Sequence, residues 1–329
     1  MRRRTALALS CVAALITAGL LWLPSAAGAN STAGNLAPAS DQGGYAWISY
    51  FRSLAGLAPV QRNAAFEAGE AVHVRYLADH SLGCETDVHD ELTEPAGGCP
   101  ANPYASALGQ AAALNSNITR VDAPITDRAA VSNWFVAGFH ALTLLEPRLR
   151  STGYAAYYTA NPTGARPQAY PFTASVDVYR GRTGSYRGQT IAFPGNGAAT
   201  PLLSYQVGSE SPEPFRDSRA GSSCYGWGAR SEVSAPIVMQ WPVGSAAAQT
   251  GASIIDLTSG STLVTCALTA ADYPSGSLAR QFLLGTNRLT QAALYYASTP
   301  FVAGHRYQLQ IAGQPATTFS ATDLSPKSN

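Results

Sequence analysis

Residues Phe172 to Tyr179 read Phe-Thr-Ala-Ser-Val-Asp-Val-Tyr, and they separate two differently patterned parts of the chain. Apolar and polar side chains alternate along this stretch, which is the pattern of a β-strand with one buried face. Before it, apolar residues recur at helical spacing. After it, short β-rich runs are separated by Gly, Ser and Pro. The sequence therefore predicts an α+β protein.

Two helices can be bounded in the first part. Asn63 is placed to cap a helix that reaches about Asp79, and another helix is predicted from Thr126 or Asp127 to about Ala137. The first of these helices has a face formed by Phe66, Glu70, His73 and Leu77.

Helical periodicity disappears after about Gly184, so the second part is predicted to be a small all-β sandwich. Its predicted strands are Ile237 to Trp241, Ser253 to Leu257, Leu263 to Leu268, Leu294 to Tyr296 and Tyr307 to Ile311.

The composition of the chain argues against a nucleic-acid partner. The chain has 329 residues, enough for about two domains, and 46% of them are hydrophobic, which is typical of a folded protein. Lys and Arg number 21 against 20 Asp and Glu, and only 12% of residues are charged. Because a nucleic-acid surface needs a basic field, we expect no nucleic-acid partner.

The N-terminus has the pattern of a secretory signal. Three arginines are followed by an apolar run from Thr5 to Leu23, and Ala27 to Ala29 supplies small residues for cleavage near Ala29. We therefore expect a secreted or cell-envelope protein that is not integral to the membrane once processed. An uncleaved anchor is the alternative, since about 20 apolar residues can span a bilayer.

These patterns predict the organisation of the whole chain. In order, we expect a signal peptide at 1–29, a flexible lead-in at 30–43, a mixed α/β domain at 44–183, an all-β domain at 184–324 and a disordered tail at 325–329.

Four cysteines remain once the signal, with Cys11, is removed, an even number in an exported protein. Three pairings exist. Cys84 with Cys99 and Cys224 with Cys266 is preferred, because it keeps each bridge within one half of the chain. Free thiols or a zinc site are the alternatives, although no Cys-x-x-Cys occurs.

The histidines are the main chemical signal. His73, His80, His89 and His140 all fall in the first domain, and imidazole is a ligand for first-row metals. If His89-Asp90-Glu91 is extended, His89 and Glu91 lie on one side of it. A solvated acidic loop is the alternative interpretation. His-Glu-x-x-His, Gly-x-Ser-x-Gly and a phosphate-binding loop are all absent from the sequence.

The ordered combination of motifs in the first domain resembles the CAP superfamily (cysteine-rich secretory, antigen 5 and pathogenesis-related proteins, also called SCP-like), and most closely a bacterial branch. The matching segments are Tyr50 to Val60, Ala71 to Leu77, His89 to Glu91, Asn115 to Ile118, Trp134 with His140, Leu144 to Pro147, and Gly153 with Tyr154.

A weaker resemblance covers the second domain. Its segments are similar to an Ig-like domain that follows the CAP domain in bacterial exported proteins. They are Pro212 to Pro214, Ala235 to Val238, Ala303 to Tyr307, and Thr318 to Ser320. This resemblance implies a sandwich used for attachment or spacing.

The CAP resemblance implies an α-β-α sandwich with a central cleft. By motif position the cleft holds His89 and His140, which could bind Zn²⁺ weakly, although no cofactor is required. The other expected cleft residues are Glu91, Ser116, Asn117, Trp134 and His73. His73 is also expected to pack within its helix. The family's two cleft glutamates fall at Ser116 and Ala129, and His140 is followed by Ala141 instead of Arg.

The histidine pair is kept and both acids are missing, so the leading hypothesis is a non-enzymatic protein that binds a small ligand in this cleft, and the resemblance implies that this ligand can be lipid-like. One alternative is a metal-assisted esterase or protease with Glu91 as base. The other is an envelope interaction or adhesion protein with a vestigial cleft.

Overall fold

A computed structural model of the chain describes residues 41, 43–79, 88–92, 102–158, 170–186, 188–242, 251–284 and 290–323. The predicted signal peptide, nearly all of the lead-in, the Cys84–Cys99 bridge and the tail lie outside these ranges. Within them, no helix combines the length and hydropathy needed to cross a membrane. The described chain mixes helices and sheets, as the α+β prediction requires.

The part of the chain before residue 184 contains five α-helices and five strands among its described residues. The helices are α1 (Gly44–Ser53), α2 (Ala64–Ala78), α3 (Ala107–Ala113), α4 (Asp127–Val136) and α5 (Gly138–Leu144). The strands are β1 (Gln61–Arg62), β2 (Ser116–Val121), β3 (Ser151–Thr152), β4 (Tyr154–Tyr158) and β5 (Phe172–Asp177).

Side-chain caps fix where the two predicted helices begin. The Asn63 side chain accepts hydrogen bonds from Ala65 N and Phe66 N, and the Thr126 hydroxyl accepts one from Ala129 N. These bonds satisfy backbone donors that have no partner inside the helix. Both predicted helix starts are confirmed.

Strand β5 is the centre of a three-stranded antiparallel sheet in the order β2-β5-β4. The alternation at Phe172 to Tyr179 predicted one buried face, but all six residues of β5 are buried. The prediction was wrong because α2 covers the second face. On that side Thr173 Oγ1 donates to Val74 O, and Ser175 Oγ donates to Glu70.

The opposite face of the sheet packs on α4. Tyr154 lies directly opposite Val176 in the register, so the two side chains share a face. The hydroxyls of Tyr154 and Tyr158 both donate to Asp127 at the start of α4. The sheet is therefore enclosed between helices, with β2 at one edge.

The part after residue 184 contains eleven strands and one α-helix among its described residues. The strands are β6 (Ile191–Phe193), β7 (Ala199–Thr200), β8 (Ser204–Gln206), β9 (Glu232–Ser234), β10 (Ile237–Pro242), β11 (Ala252–Asp256), β12 (Ser261–Leu263), β13 (Thr265–Thr269), β14 (Thr290–Ala297), β15 (Arg306–Ile311) and β16 (Thr317–Ala321). Two sheets have the orders β13-β14-β10-β6 and β12-β11-β15-β16-β7.

All five predicted β-rich runs contain strands, but the all-β prediction missed a helix, α6 (Leu278–Leu284). This helix has only seven residues and follows a Pro- and Gly-containing turn, so too few turns are present to establish a period. Burial of Ala279 and Leu283 holds it against the protein. Cys224 and Cys266 form the predicted disulfide.

One apolar core continues across the predicted boundary at residues 183 and 184. Phe135 packs on Phe193 with ring centroids 5.4 Å apart, and Phe139 lies 5.8 Å from both Tyr273 and Phe282. The described residues from Asp41 to Asp323 accordingly belong to one compact unit. The boundary itself stays a prediction.

Candidate functional site

Edge strand β2 carries neighbouring side chains to opposite faces of the sheet. Ser116 lies opposite Asp177 and Asn117 lies opposite Val176. Ser116 Oγ donates to Glu70 on α2, whereas Asn117 Nδ2 donates to the carbonyl of His140 on α5 at 3.1 Å. The two helices therefore approach β2 from its two sides.

His89 and His140 line one cavity of about 660 Å³ beside β2, which we call the histidine cavity. His89 Nδ1 lies 2.6 Å from the Ala113 carbonyl oxygen. Since a carbonyl oxygen only accepts hydrogen bonds, this nitrogen carries the proton. Ser116 and Asn117, both predicted for the cleft, line the same cavity.

His140 is paired with a carboxylate from the second part of the chain. Its Nδ1 lies 3.0 Å from Glu210 Oε2, which also accepts Phe139 N–H at 3.1 Å. The Glu210 side chain is 1% exposed and that of His140 is 20% exposed. The buried Glu210 carboxylate therefore orients the His140 ring by accepting a hydrogen bond from Nδ1–H.

Close packing at the start of α5 sets this geometry. A Cβ at Gly138 would lie 2.5 Å from the Tyr296 hydroxyl, so the buried side chain of Tyr296 would have to move to make room for it. Tyr296 is fully buried, and burial together with the nearby Glu210 carboxylate raises its pKa well above the usual value. The hydroxyl therefore stays protonated. Glu210 Oε1 is buried, and the described residues supply it with no hydrogen-bond partner.

Sequence reasoning missed Glu210, because it lies 70 residues from His140 in a segment predicted to serve attachment. No local pattern marks it. One of the motif positions that carries an acid in the CAP resemblance holds Ser116 in this chain. The carboxylate that contacts His140 is instead Glu210, from the second part of the chain.

Glu70 is a second missed acid, and it lies behind Ser116. It is fully buried on α2 and accepts hydrogen bonds from Ser116 Oγ, Ser175 Oγ and Arg180 Nη2. Burial raises its pKa to about 7, although the two serine hydroxyls act in the opposite direction. The sequence did contain a signal for this buried acid, because Glu70 lies on the same face of the predicted helix as Phe66 and Leu77.

His73 and Glu91 form a separate buried pair. His73 Nδ1 lies 2.6 Å from Glu91 Oε1, and Ser106 N–H donates to Glu91 Oε2. Burial lowers the pKa of His73. Both side chains have no solvent exposure, and neither residue is among the described residues that line the histidine cavity. Glu91 thus has His73 as its partner instead of a cavity histidine.

A second cavity of about 690 Å³ continues along β2 and includes Trp134. It shares lining residues with the histidine cavity, namely Ile118, Arg120, His140 and Ser209. Trp134, predicted for the cleft, therefore lines a cavity that adjoins the histidine cavity.

The histidine cavity also has an apolar wall. Leu114 and Leu278 are 63% and 54% exposed, and Phe139, Phe282 and Ile118 continue the wall inward. A single exposed aliphatic side chain is ordinary on a protein surface, whereas several apolar side chains that line one cavity form a surface that a ligand can cover. The cavity therefore offers both polar and apolar side chains, a combination that suits an amphipathic molecule.

The described side chains around the histidine cavity do not make up a zinc site. Zinc sites in proteins take at least three protein ligands. Among the described ranges, no group of three or more His, Cys, Asp or Glu side chains is arranged to hold a metal ion. His140 Nδ1 is already bound to Glu210, and the two imidazoles alone fall short of that number.

Comparison of the chain with protein-family models, with curated proteins and with solved structures returned no match.

Proposed function

We propose that the chain is a secreted or cell-envelope protein of the CAP type with an Ig-like second part, and that its histidine cavity binds a small amphipathic, lipid-like ligand. The observation that carries the proposal is the convergence of His89 and His140 on one cavity with an exposed apolar wall. The enclosure of the β2-β5-β4 sheet by helices supports the fold assignment.

The ligand's polar group would lie against the imidazole rings of His89 and His140, which line the cavity. Its apolar part would cover Leu114, Leu278 and Phe282, which removes aliphatic and aromatic surface from water. Each such side chain contributes about 1–2 kcal/mol when it is covered. A fatty acid has this combination of groups.

Calorimetric titration of the purified protein with dodecanoate tests the proposal. Leu114→Glu places a carboxylate on the apolar wall, so we expect binding at least about tenfold weaker, the equivalent of 1.4 kcal/mol. Val264→Glu is the matched control, because Val264 is 66% exposed and does not line the cavity. The proposal fails if wild type does not bind dodecanoate, or if both variants bind it equally.

The envelope-interaction hypothesis stays a prediction. Hydrolysis with Glu91 as base is not part of this proposal, because His73 and Ser106 already engage both oxygens of that carboxylate.

A further inference from the structure

The pair His140–Glu210 has the arrangement of a general base and its orienting carboxylate. The buried Glu210 Oε2 accepts a hydrogen bond from His140 Nδ1 at 3.0 Å, and the partly exposed ring lines the histidine cavity. With its proton on Nδ1, the neutral imidazole has its basic lone pair on Nε2. A buried carboxylate on Nδ1 stabilises the imidazolium that forms when Nε2 takes up a proton.

The backbone of β2 supplies a donor at the wall of the same cavity. Hydrogen-bonded and non-hydrogen-bonded pairs alternate between antiparallel strands. Val178 N–H donates to Asn115 O, so Asn117 and Thr119 form the next hydrogen-bonded pairs with β5. Ile118, between them, therefore turns its N–H away from β5.

The register on the other side of β5 agrees with this assignment. Asp177 N–H donates to Gly153 O, so the odd-numbered residues of β5 bond to β4 and the even-numbered ones to β2. Beyond β2, the described chain adds no further strand to the sheet. The Ile118 N–H thus lies on the open edge, and Ile118 lines the same cavity as His140.

From this juxtaposition we infer that the histidine cavity hydrolyses carboxylic esters of aliphatic acids, with His140 as general base and Glu210 as its positioning residue. The inference rests on the proposed function, because the acyl chain occupies the apolar wall formed by Leu114, Leu278 and Phe282.

The step balances with water as the only co-reactant. His140 Nε2 takes a proton from water while the water oxygen bonds to the ester carbonyl carbon. The carbonyl oxygen becomes an oxyanion that accepts the Ile118 N–H. The bond from this carbon to the alkoxy oxygen then breaks, and the imidazolium returns its proton to the alkoxide. The products are one carboxylic acid and one alcohol.

Hydrolysis of 4-nitrophenyl acetate, butyrate and octanoate by the purified protein tests the inference. We expect kcat/KM to rise with acyl length. His140→Gln should lower kcat by about 10²–10⁴-fold, the usual contribution of a general base. Glu210→Gln should lower kcat with little change in KM, and Glu210→Asp should restore part of the loss.

The chain contains a matched control pair outside the cavity. His305 Nδ1 lies 2.8 Å from Asp256 Oδ2, and neither residue lines the histidine cavity. Asp256→Asn should leave hydrolysis unchanged. The inference is overturned if wild type shows no hydrolysis above the buffer rate, if His140→Gln retains full kcat, or if Asp256→Asn and Glu210→Gln lower kcat equally. Dodecanoate binding without hydrolysis would leave the proposed function standing, whereas loss of both would remove it as well.

Discussion

At the scale of single residues, Glu70 makes the stability of the fold depend on pH. Its pKa is raised from 4.5 to about 7 by burial. Between these values the folded state keeps a proton that the unfolded chain has lost, so this contribution is present below pH 4.5 and disappears as pH rises through 7. The free energy of unfolding should fall by about 1.4 kcal/mol per pH unit across this window.

Glu70→Gln removes that titration while keeping a neutral side chain of the same size. Denaturant unfolding at pH 5 and pH 8 measures the effect. Wild type should lose roughly 3 kcal/mol of unfolding free energy from pH 5 to pH 8 that Glu70→Gln does not lose. Parallel pH curves for the two proteins would show that Glu70 does not titrate in this range.

At the scale of elements, the helix starts and strands that depend on local periodicity and capping could be predicted from the sequence. Asn63 and Thr126 mark helix starts, and the five β-rich runs become strands, because these signals act over only a few residues. Full burial of β5 was not predictable from its alternation. Thr173 and Ser175 look solvent-facing in sequence, and only the packing of α2 gives their hydroxyls buried partners.

In the candidate site, too, some residues could be predicted from sequence motifs, and others depend on long-range packing. His89 and His140 were found through their motif positions, and both line the cavity. Glu210 was not found, because its role follows from the packing of the second part of the chain against α5, and no short-range pattern encodes a contact across 70 residues. Glu91 was assigned to the cleft from its spacing to His89, but its carboxylate bonds to His73.

At the scale of the whole molecule, the two parts of the chain stabilise each other. Phe193 and Tyr273 are buried against Phe135 and Phe139, and burial of each aromatic ring contributes about 2 kcal/mol. We therefore expect a fragment of residues 184–329 to lack cooperative unfolding, whereas the full chain unfolds in one transition. Near-ultraviolet circular dichroism during thermal unfolding measures both.

A fragment that unfolds cooperatively at the temperature of the full chain would contradict this dependence. If that fragment also bound cell-wall material as the whole protein does, the result would support the envelope-interaction hypothesis.

The central claim is that His89 and His140 share a ligand in one cavity, and nitrogen-15 resonances of the histidine rings test it most directly. During titration with dodecanoate at constant pH, the ring signals of His89 and His140 should shift together and saturate at the same ligand concentration, while those of His305 stay in place. Unchanged signals from His89 and His140 at a concentration that saturates binding would contradict the account.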